Sequence, residues 1–166
     1  MFTEQGFKPE SSAPIGVFDS GVGGLTVARE IMRQMPNEKI IYFGDTARVP
    51  YGSKSKDTVT RFSKQILHFL QTFDVKTIVV ACNTASAYAL EELEKECNIP
   101  IIGVIKPGAK VAAEVTRNGK IGVIATEATI SSGIYTQYIK EMNKNVTVYG
   151  KACPLFVPLI EEGLWI

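Results

Sequence analysis

The sequence predicts an α/β fold with a parallel-sheet βαβ architecture, and three observations support this prediction. Short apolar runs of strand length alternate with stretches of helical periodicity. The run from Thr77 to Ala81 is β-branched and apolar throughout, which is typical of a parallel strand buried on both faces. A strand that opens with Ile-Gly-Val occurs at Ile15 and again at Ile121. This repetition indicates two similar α/β domains, with right-handed crossovers that place helices on both faces of each sheet.

The elements follow in order along the chain. The predicted strands are short apolar runs at 15–18, 39–43, 76–81, 101–104, 121–125 and 146–149. The predicted helices have apolar residues at helical spacing, or are rich in Ala, Leu and Glu, at 25–35, 55–72, 84–97, 108–117 and 130–142. A glycine turn separates the first strand from the first helix, which ends at Pro36 because proline cannot continue a helix.

The domain organisation is predicted from the same pattern. Residues 1–13 are expected to form a flexible N-terminal tail, and residues 14–106 a first α/β domain that contains Cys82. Residues 107–166 are expected to form a partial second α/β domain. The boundary is placed there because a proline and a glycine, Pro107 and Gly108, interrupt the pattern near the middle of the chain.

The composition argues against several classes of function. The 18 basic and 17 acidic residues give a net charge of +1, which provides no electrostatic basis for binding nucleic acid or a membrane surface. The apolar runs are far shorter than the ~20 residues that a membrane-spanning helix needs. The segment from Met1 to Ser12 is polar and has no apolar core of the kind found in signal peptides. The number of cysteines, 3, is odd, which does not favour a set of disulfide bonds. We therefore expect a cytoplasmic protein with free thiols.

Polar residues follow the predicted strands at the end where open α/β sheets bind ligands. The turn from Asp19 to Gly24 follows the first strand, and its glycines and the next helix N-terminus would favour an anionic group such as a carboxylate. A tight turn capped by Asp19 or Ser20 is an equally good interpretation. The segment from Cys82 to Thr84 follows the third strand, and Thr126 follows the fifth. We expect these strand ends to face one crevice.

Cys82 is the leading candidate for chemistry, because it lies at the predicted N-terminus of a helix. The helix dipole stabilises a thiolate, so the pKa of this thiol is expected to fall from roughly 8.5 toward neutrality. Such a group is a nucleophile or a general base, whereas a small buried cysteine is the structural alternative. The 1 histidine, His68, lies within an amphipathic helix, so a Cys–His hydrolase is poorly supported. Metal binding is not expected, and Cys97 and Cys153 are expected to be inert.

Four motifs, taken in chain order, resemble those of the cofactor-independent aspartate/glutamate racemase family, and in particular its bacterial glutamate racemases. The resemblance covers residues 14–163, almost the whole chain. The motifs are Phe18-Asp19-Ser20-Gly21-Val22-Gly23-Gly24, Gly44-Asp45-Thr46-Ala47-Arg48-Val49-Pro50-Tyr51-Gly52, Ala81-Cys82-Asn83-Thr84-Ala85-Ser86 and Ala152-Cys153-Pro154-Leu155-Phe156-Val157-Pro158-Leu159.

The resemblance implies an isomerase that interconverts L- and D-glutamate without a cofactor. The D-glutamate would serve peptidoglycan synthesis, and hence cell-wall biogenesis and cell shape. In such enzymes two cysteines flank the α-carbon, one thiolate removing the α-proton while the other thiol donates one to the opposite face. Cys82 matches the first thiol, and Asp19 matches the acid that assists it and contacts substrate. The other matches to substrate-binding positions are Ser20, Tyr51, Gly52, Asn83, Thr84 and, after the fifth strand, Thr126.

The sequence departs from the family in one respect, because the Gly-Cys-Thr-His run that carries the second thiol is absent. We therefore expect a C-terminally truncated chain that racemises glutamate very weakly or not at all. Cys153 is not expected to substitute, because its motif matches a different segment of the family. Apolar surface exposed by truncation favours association, so a homodimer is among the expected states. The expected partner is glutamate, with no metal, nucleic acid or membrane.

Three other functions remain open. An aspartate or hydantoin racemase would use the same thiols with a different side-chain pocket. A non-catalytic amino-acid-binding or anion-binding α/β module would use the turn from Asp19 to Gly24 without turnover. A nucleotide-binding Rossmann domain is disfavoured, because Thr26 stands where the third glycine of the dinucleotide fingerprint belongs.

Overall fold

The structure, a computed structural model, describes residues 12–164 and contains two parallel β-sheets. The strands are β1 (Ile15–Asp19), β2 (Ile40–Gly44), β3 (Thr77–Val80), β4 (Ile101–Gly103), β5 (Lys120–Ala125) and β6 (Thr147–Ala152). The helices are α1 (Leu25–Gln34), α2 (Lys56–Gln71), α3 (Asn83–Tyr88), α4 (Leu90–Glu96), α5 (Ile105–Val115), α6 (Glu127–Ser131), α7 (Ile134–Met142) and α8 (Phe156–Glu161). The predicted α/β class with parallel sheets is confirmed. The predicted tail over residues 1–13 lies almost wholly outside the described residues.

The larger sheet has four parallel strands in the order β2-β1-β3-β4. Its central strand β1 is buried at every position, as expected for a strand covered on both faces. On one face Phe18 and Ile78 belong to a core that includes residues of α2, α3 and α4. On the other face Val17 and Val79 pack with residues of α1. Because β1 and β3 are parallel neighbours in this sheet, their carboxyl ends lie side by side.

Helix α2 shows how the sequence pattern produces the packing. Ser55 is its N-cap, and the Ser55 hydroxyl accepts a hydrogen bond from the amide of Thr58 at 3.3 Å. The inward positions, including Val59, Ile66 and Leu70, are fully or almost fully buried. The opposite face of α2 carries charged side chains and faces solvent.

None of the helices within residues 12–164 is long and apolar enough to cross a membrane.

The smaller sheet pairs β5 with β6 in parallel, with Lys120 opposite Thr147. Residues of α5 and α7 cover one of its faces and form a core that contains Ala109 and Ile139. Exposure alternates along β5, so Ile124 remains 64% exposed. The two Ile-Gly-Val strands therefore lie in different sheets, and the division of the chain at residue 107 stays a prediction.

Several predicted boundaries were wrong. The predicted helix 84–97 is two helices that meet at Ala89, and the predicted helix 130–142 is broken by Gly133, which has a positive φ of 69°. The predicted helix 108–117 begins earlier, because the Pro107-Gly108 segment forms part of the first turn of α5. Pro107 is accommodated there because the first amides of a helix have no intrahelical partner. Helix α8 was not predicted.

Candidate active site

A cavity of about 540 Å³ opens at the carboxyl ends of β1 and β3 and extends along β5. Every site residue predicted from the sequence lines it: Asp19, Ser20, Tyr51, Gly52, Cys82, Asn83, Thr84 and Thr126. These residues come from four separate segments of the chain, which the two sheets bring to one place. Their chemical roles are not established by this placement and stay predictions.

The pairing of β1 with β3 sets the position of the carboxylate relative to the thiol. Phe18 lies opposite Val80 in the parallel register, and the Ala81 amide donates to the Phe18 carbonyl at 2.8 Å. Asp19 and Cys82 therefore leave the sheet at neighbouring strand ends. Backbone hydrogen bonds, rather than flexible side chains, fix how these two segments approach each other.

Asp19 begins a turn that is tightly closed by its own side chain. The carboxylate is 6% exposed, and its Oδ2 accepts a hydrogen bond from the Gly21 amide at 2.9 Å. A Cβ atom at Gly24 would lie 2.5 Å from the Asp19 Cβ, so the approach of helix α1 to this turn requires glycine. The turn is thus both capped by Asp19 and built for close backbone approach.

Glu161 of α8 is a cavity residue that the sequence prediction missed. Its Oε1 accepts a hydrogen bond from the Val22 amide at 3.0 Å, in the turn where an anionic ligand was expected. The turn therefore does bind a carboxylate, and here the carboxylate belongs to the chain itself. Applying the strand-end rule to β6, as was done for β1 and β3, would have included the segment that leads to Glu161.

Cys82 is buried and serves as the N-cap of α3. Its Sγ accepts a hydrogen bond from the Ala85 amide at 3.4 Å and donates to the Ser20 hydroxyl at 3.4 Å. Burial, followed by the negative charge of Asp19, raises the pKa of Cys82 to about 11, and the hydrogen bonds with Ser20 and Ala85 only partly oppose this. The predicted fall of this pKa was wrong, because desolvation outweighs the N-terminus of a six-residue helix.

Three threonine hydroxyls form a closed set of contacts between α3 and α6. Thr84 lies 2.9 Å from Thr126 and 3.4 Å from Thr129, and Thr126 lies 3.0 Å from Thr129, measured between Oγ1 atoms. Thr126 also caps α6 by accepting from the Thr129 amide. A Cβ atom at Gly52 would meet the Thr126 side chain at 2.5 Å, so Gly52 lets its loop reach this cluster. Thr129, which was not among the predicted site residues, supports the two cavity threonines without lining the cavity itself.

Tyr51 is held in place by a buried charged network. Its hydroxyl donates to the buried carboxylate of Asp45, which also pairs with Arg48 at 2.7 Å. The Arg48 guanidinium lies 4.2 Å from the centre of the Phe62 ring. Burial and the bond to Asp45 raise the pKa of Tyr51 above its ordinary value, so the phenol stays neutral. Tyr51 therefore lines the cavity as an uncharged side chain whose hydroxyl is already bonded to Asp45.

The remaining candidates for chemistry lie away from the cavity. His68 is exposed on α2 and pairs with Glu96 at 2.9 Å, and Cys97 accepts from Gln71 at 3.4 Å. Cys153 is half-buried, with its thiol 3.8 Å from the Lys151 carbonyl. Within the described part of the chain, no group of three or more His, Cys, Asp or Glu side chains is arranged to hold a metal ion.

Together, the parallel α/β fold and the thiol and carboxylate at neighbouring strand ends define a class of α/β proteins that have a cysteine at the ligand-binding end of a parallel sheet. The Asp/Glu/Hydantoin racemase family model matches residues 15–163. The chain belongs to this family, which confirms the resemblance seen in its motifs.

Named relatives and solved structures agree with this assignment. The chain is 62% identical over 149 residues to a glutamate racemase of Geobacter metallireducens, covering 90% of this chain and 55% of that protein. It is 59% identical to one of Persephonella marina, covering 90% of this chain and 58% of that protein. A Bacillus anthracis glutamate racemase structure matches with a TM-score of 0.89 and 49% identity, over 92% of this chain and 57% of that one. A Francisella tularensis glutamate racemase, solved in complex with D-glutamate, matches over the same shares with a TM-score of 0.86 and 47% identity. The chain thus spans between half and two thirds of the length of these proteins.

Proposed function

We propose that this chain takes part in the interconversion of L- and D-glutamate, with Cys82 as one of two acid/base thiols. The observation that carries the proposal is the buried Cys82 thiol beside the Asp19 turn, in a cavity lined by every other residue predicted to bind substrate. The names of the relatives favour glutamate over aspartate or hydantoin as the substrate.

The cavity offers complementary groups for an amino acid. The Asp19 carboxylate is a suitable partner for the α-ammonium group, and the side chains of Ser20, Asn83 and Thr84 supply donors for a carboxylate. The Asp19 and Cys82 side chains are both buried, which strengthens their interactions with a ligand and favours formation of a carbanion.

In the proposed reaction, the Cys82 thiolate takes the α-proton, and the electron pair of the broken C–H bond remains on the substrate as a carbanion delocalised into its carboxylate. A thiol on the opposite face donates a proton to the same carbon, forming a C–H bond of inverted configuration. Cys82 ends as a thiol and the second group as a thiolate, so the net charge is unchanged. Because the pKa of Cys82 is about 11 in the free chain, we propose that the substrate ammonium group favours the thiolate by its positive charge.

We propose that this polypeptide alone does not complete the inversion. Its sequence lacks a Gly-Cys-Thr-His run, and neither Cys97 nor Cys153 lines the cavity. A single thiol can remove and return a proton only on its own face. The expected activity is therefore exchange of the α-proton with solvent for one enantiomer, with retention of configuration.

The test is incubation of the chain with L- or D-glutamate in deuterium oxide. We expect loss of the α-proton NMR signal for one enantiomer without formation of the other, and loss of this exchange in Cys82→Ala. Cys97→Ala is the matched control and should exchange normally. Exchange that persists in Cys82→Ala would refute the role of the thiol. Binding without exchange in the unaltered chain would favour the non-catalytic amino-acid-binding module, and net racemisation would refute the one-sided site.

We further propose that the D-glutamate serves peptidoglycan synthesis in the cytoplasm. The proposal for glutamate over its analogues is tested by the same exchange assay with aspartate and with a hydantoin. Faster exchange of aspartate than of glutamate would identify an aspartate racemase instead.

A further inference from the structure

We infer that Tyr135 is a positioning residue for the substrate site, because its hydroxyl group orients the side-chain amide of Asn83. This inference rests on the proposed function, in which Asn83 binds a carboxylate of glutamate. It gives a specific task to a residue of α7, which the sequence motifs did not single out.

The contact joins two distant parts of the chain at the cavity. The Tyr135 hydroxyl donates to Asn83 Oδ1 at 2.7 Å, across 52 positions in the sequence. Both residues line the cavity, and Asn83 directly follows Cys82 at the start of α3. Among residues 12–164, this is the one hydrogen bond that the Asn83 side chain makes. The Nδ2 group is therefore left available to a ligand.

The orientation of this amide matters because its two ends are chemically opposite. The Oδ1 end accepts hydrogen bonds, the Nδ2 end donates them, and a substrate carboxylate can only accept. A half-turn of the amide would present Oδ1 to the carboxylate and replace an attraction by a repulsion. A hydroxyl proton bonded to Oδ1 selects the orientation in which Nδ2 is free to donate. The site is then organised before the ligand arrives, which reduces the ordering cost of binding.

The surroundings of Tyr135 hold its ring in place and keep its hydroxyl protonated. Its ring packs against the core of the smaller sheet, next to Ala109 and Ile139. Gly108 lies beside it, where an added Cβ would be 3.6 Å from the hydroxyl oxygen. Burial raises the pKa of Tyr135, so the phenol keeps its proton at neutral pH.

The test is glutamate binding by the 166-residue chain and its variants, measured by isothermal titration calorimetry. Tyr135→Phe keeps the ring and removes only the hydroxyl, and we expect Kd for glutamate to rise about tenfold, the effect of one hydrogen bond to a charged group. In an Asn83→Ala background the same substitution should leave Kd unchanged, because a residue that acts through Asn83 has no target there. Tyr138→Phe is the matched control, since Tyr138 lies on the same helix but outside the cavity lining, and it should bind glutamate normally.

The outcomes separate this inference from the proposed function. Binding by the unaltered chain with an equal Kd in Tyr135→Phe would overturn the inference and leave the proposed function standing. An equal loss in the presence and absence of Asn83 would show a general structural effect and would also overturn it. A chain that does not bind glutamate would overturn the proposed function, and this inference with it. A nuclear Overhauser effect between the Tyr135 ring and the Asn83 amide in the unaltered chain is expected, and its absence counts against the contact without any mutation.

Discussion

Replacing Asp19 by asparagine should make Cys82 more reactive toward alkylation. Burial is the larger cause of the raised thiol pKa, and the charge of Asp19 is the second. The substitution removes that charge but keeps the shape of the side chain. It also keeps an acceptor for the Gly21 amide, now bonded at 2.9 Å to the carboxylate, so the turn should stay closed.

The size of the effect follows from the pKa. A rise from 9.0 to about 11 lowers the thiolate fraction about a hundredfold at neutral pH. Removing a nearby like charge typically restores about one tenfold step of such a shift. We therefore expect Asp19→Asn to increase the alkylation rate about tenfold at each pH below the thiol pKa. The thiol should still react more slowly than an unperturbed one, because its burial is unchanged.

The assay is the rate of iodoacetamide modification of each cysteine, followed by peptide mass spectrometry between pH 7 and pH 10. Cys97 provides an internal control in the same molecule. Ser20→Ala should have the opposite effect, because the bond with Ser20 lowers the pKa of Cys82. An unchanged or slower rate at Cys82 in Asp19→Asn, with Cys97 unaffected, would refute the electrostatic account.

Three further substitutions test the packing. Ser63→Ala should raise the free energy of unfolding by about 1 kcal/mol in urea titrations, because the buried Ser63 hydroxyl has no hydrogen-bond partner within the described structure; a lower urea midpoint would contradict this. Gly24→Ala should lower the free energy of unfolding by about 2 kcal/mol, since its Cβ would overlap that of Asp19. Gly122→Ala is the control, because its Cβ would meet nothing within 4 Å and it should be nearly neutral in the same urea titrations. Val115→Glu should weaken self-association in sedimentation velocity, because Val115 is 68% exposed; equal association in both proteins would exclude this surface.

Much of the fold and the membership of the site could be predicted from the sequence. The strand ends at Asp19, Cys82 and Thr126 were found because apolar runs mark buried strands and the following polar residues mark their carboxyl ends. The same reasoning could not show that β5 and β6 form their own sheet. Strand pairing depends on tertiary contacts, which periodicity along the chain does not contain.

The prediction was weakest where distant groups act on one another. The direction of the Cys82 pKa depends on burial and on Asp19, a residue far away in sequence, whereas the helix N-terminus is a local feature. Glu161 and Tyr135 contact the site across 139 and 52 positions, and neither belongs to a local motif that announces such a contact. Local sequence patterns were thus sufficient to locate the site. The charges and pKa values within it could be assigned only from the folded structure.

The division of the cavity lining between the two sheets has a consequence for the energetics of local opening. Asp19 and Cys82 extend from the larger sheet, whereas Thr126, Tyr135 and Glu161 come from segments around the smaller one. A ligand that contacts residues from both sheets stabilises the packing of the two sheets against each other by mass action, even if the core of each sheet is unchanged. Glutamate should therefore slow amide hydrogen exchange in α6, α7 and α8 more than in β1 and β3, whose amides open only with the larger sheet. Binding of glutamate, as proposed, would then be detected as slower exchange in helices that lie outside the larger sheet.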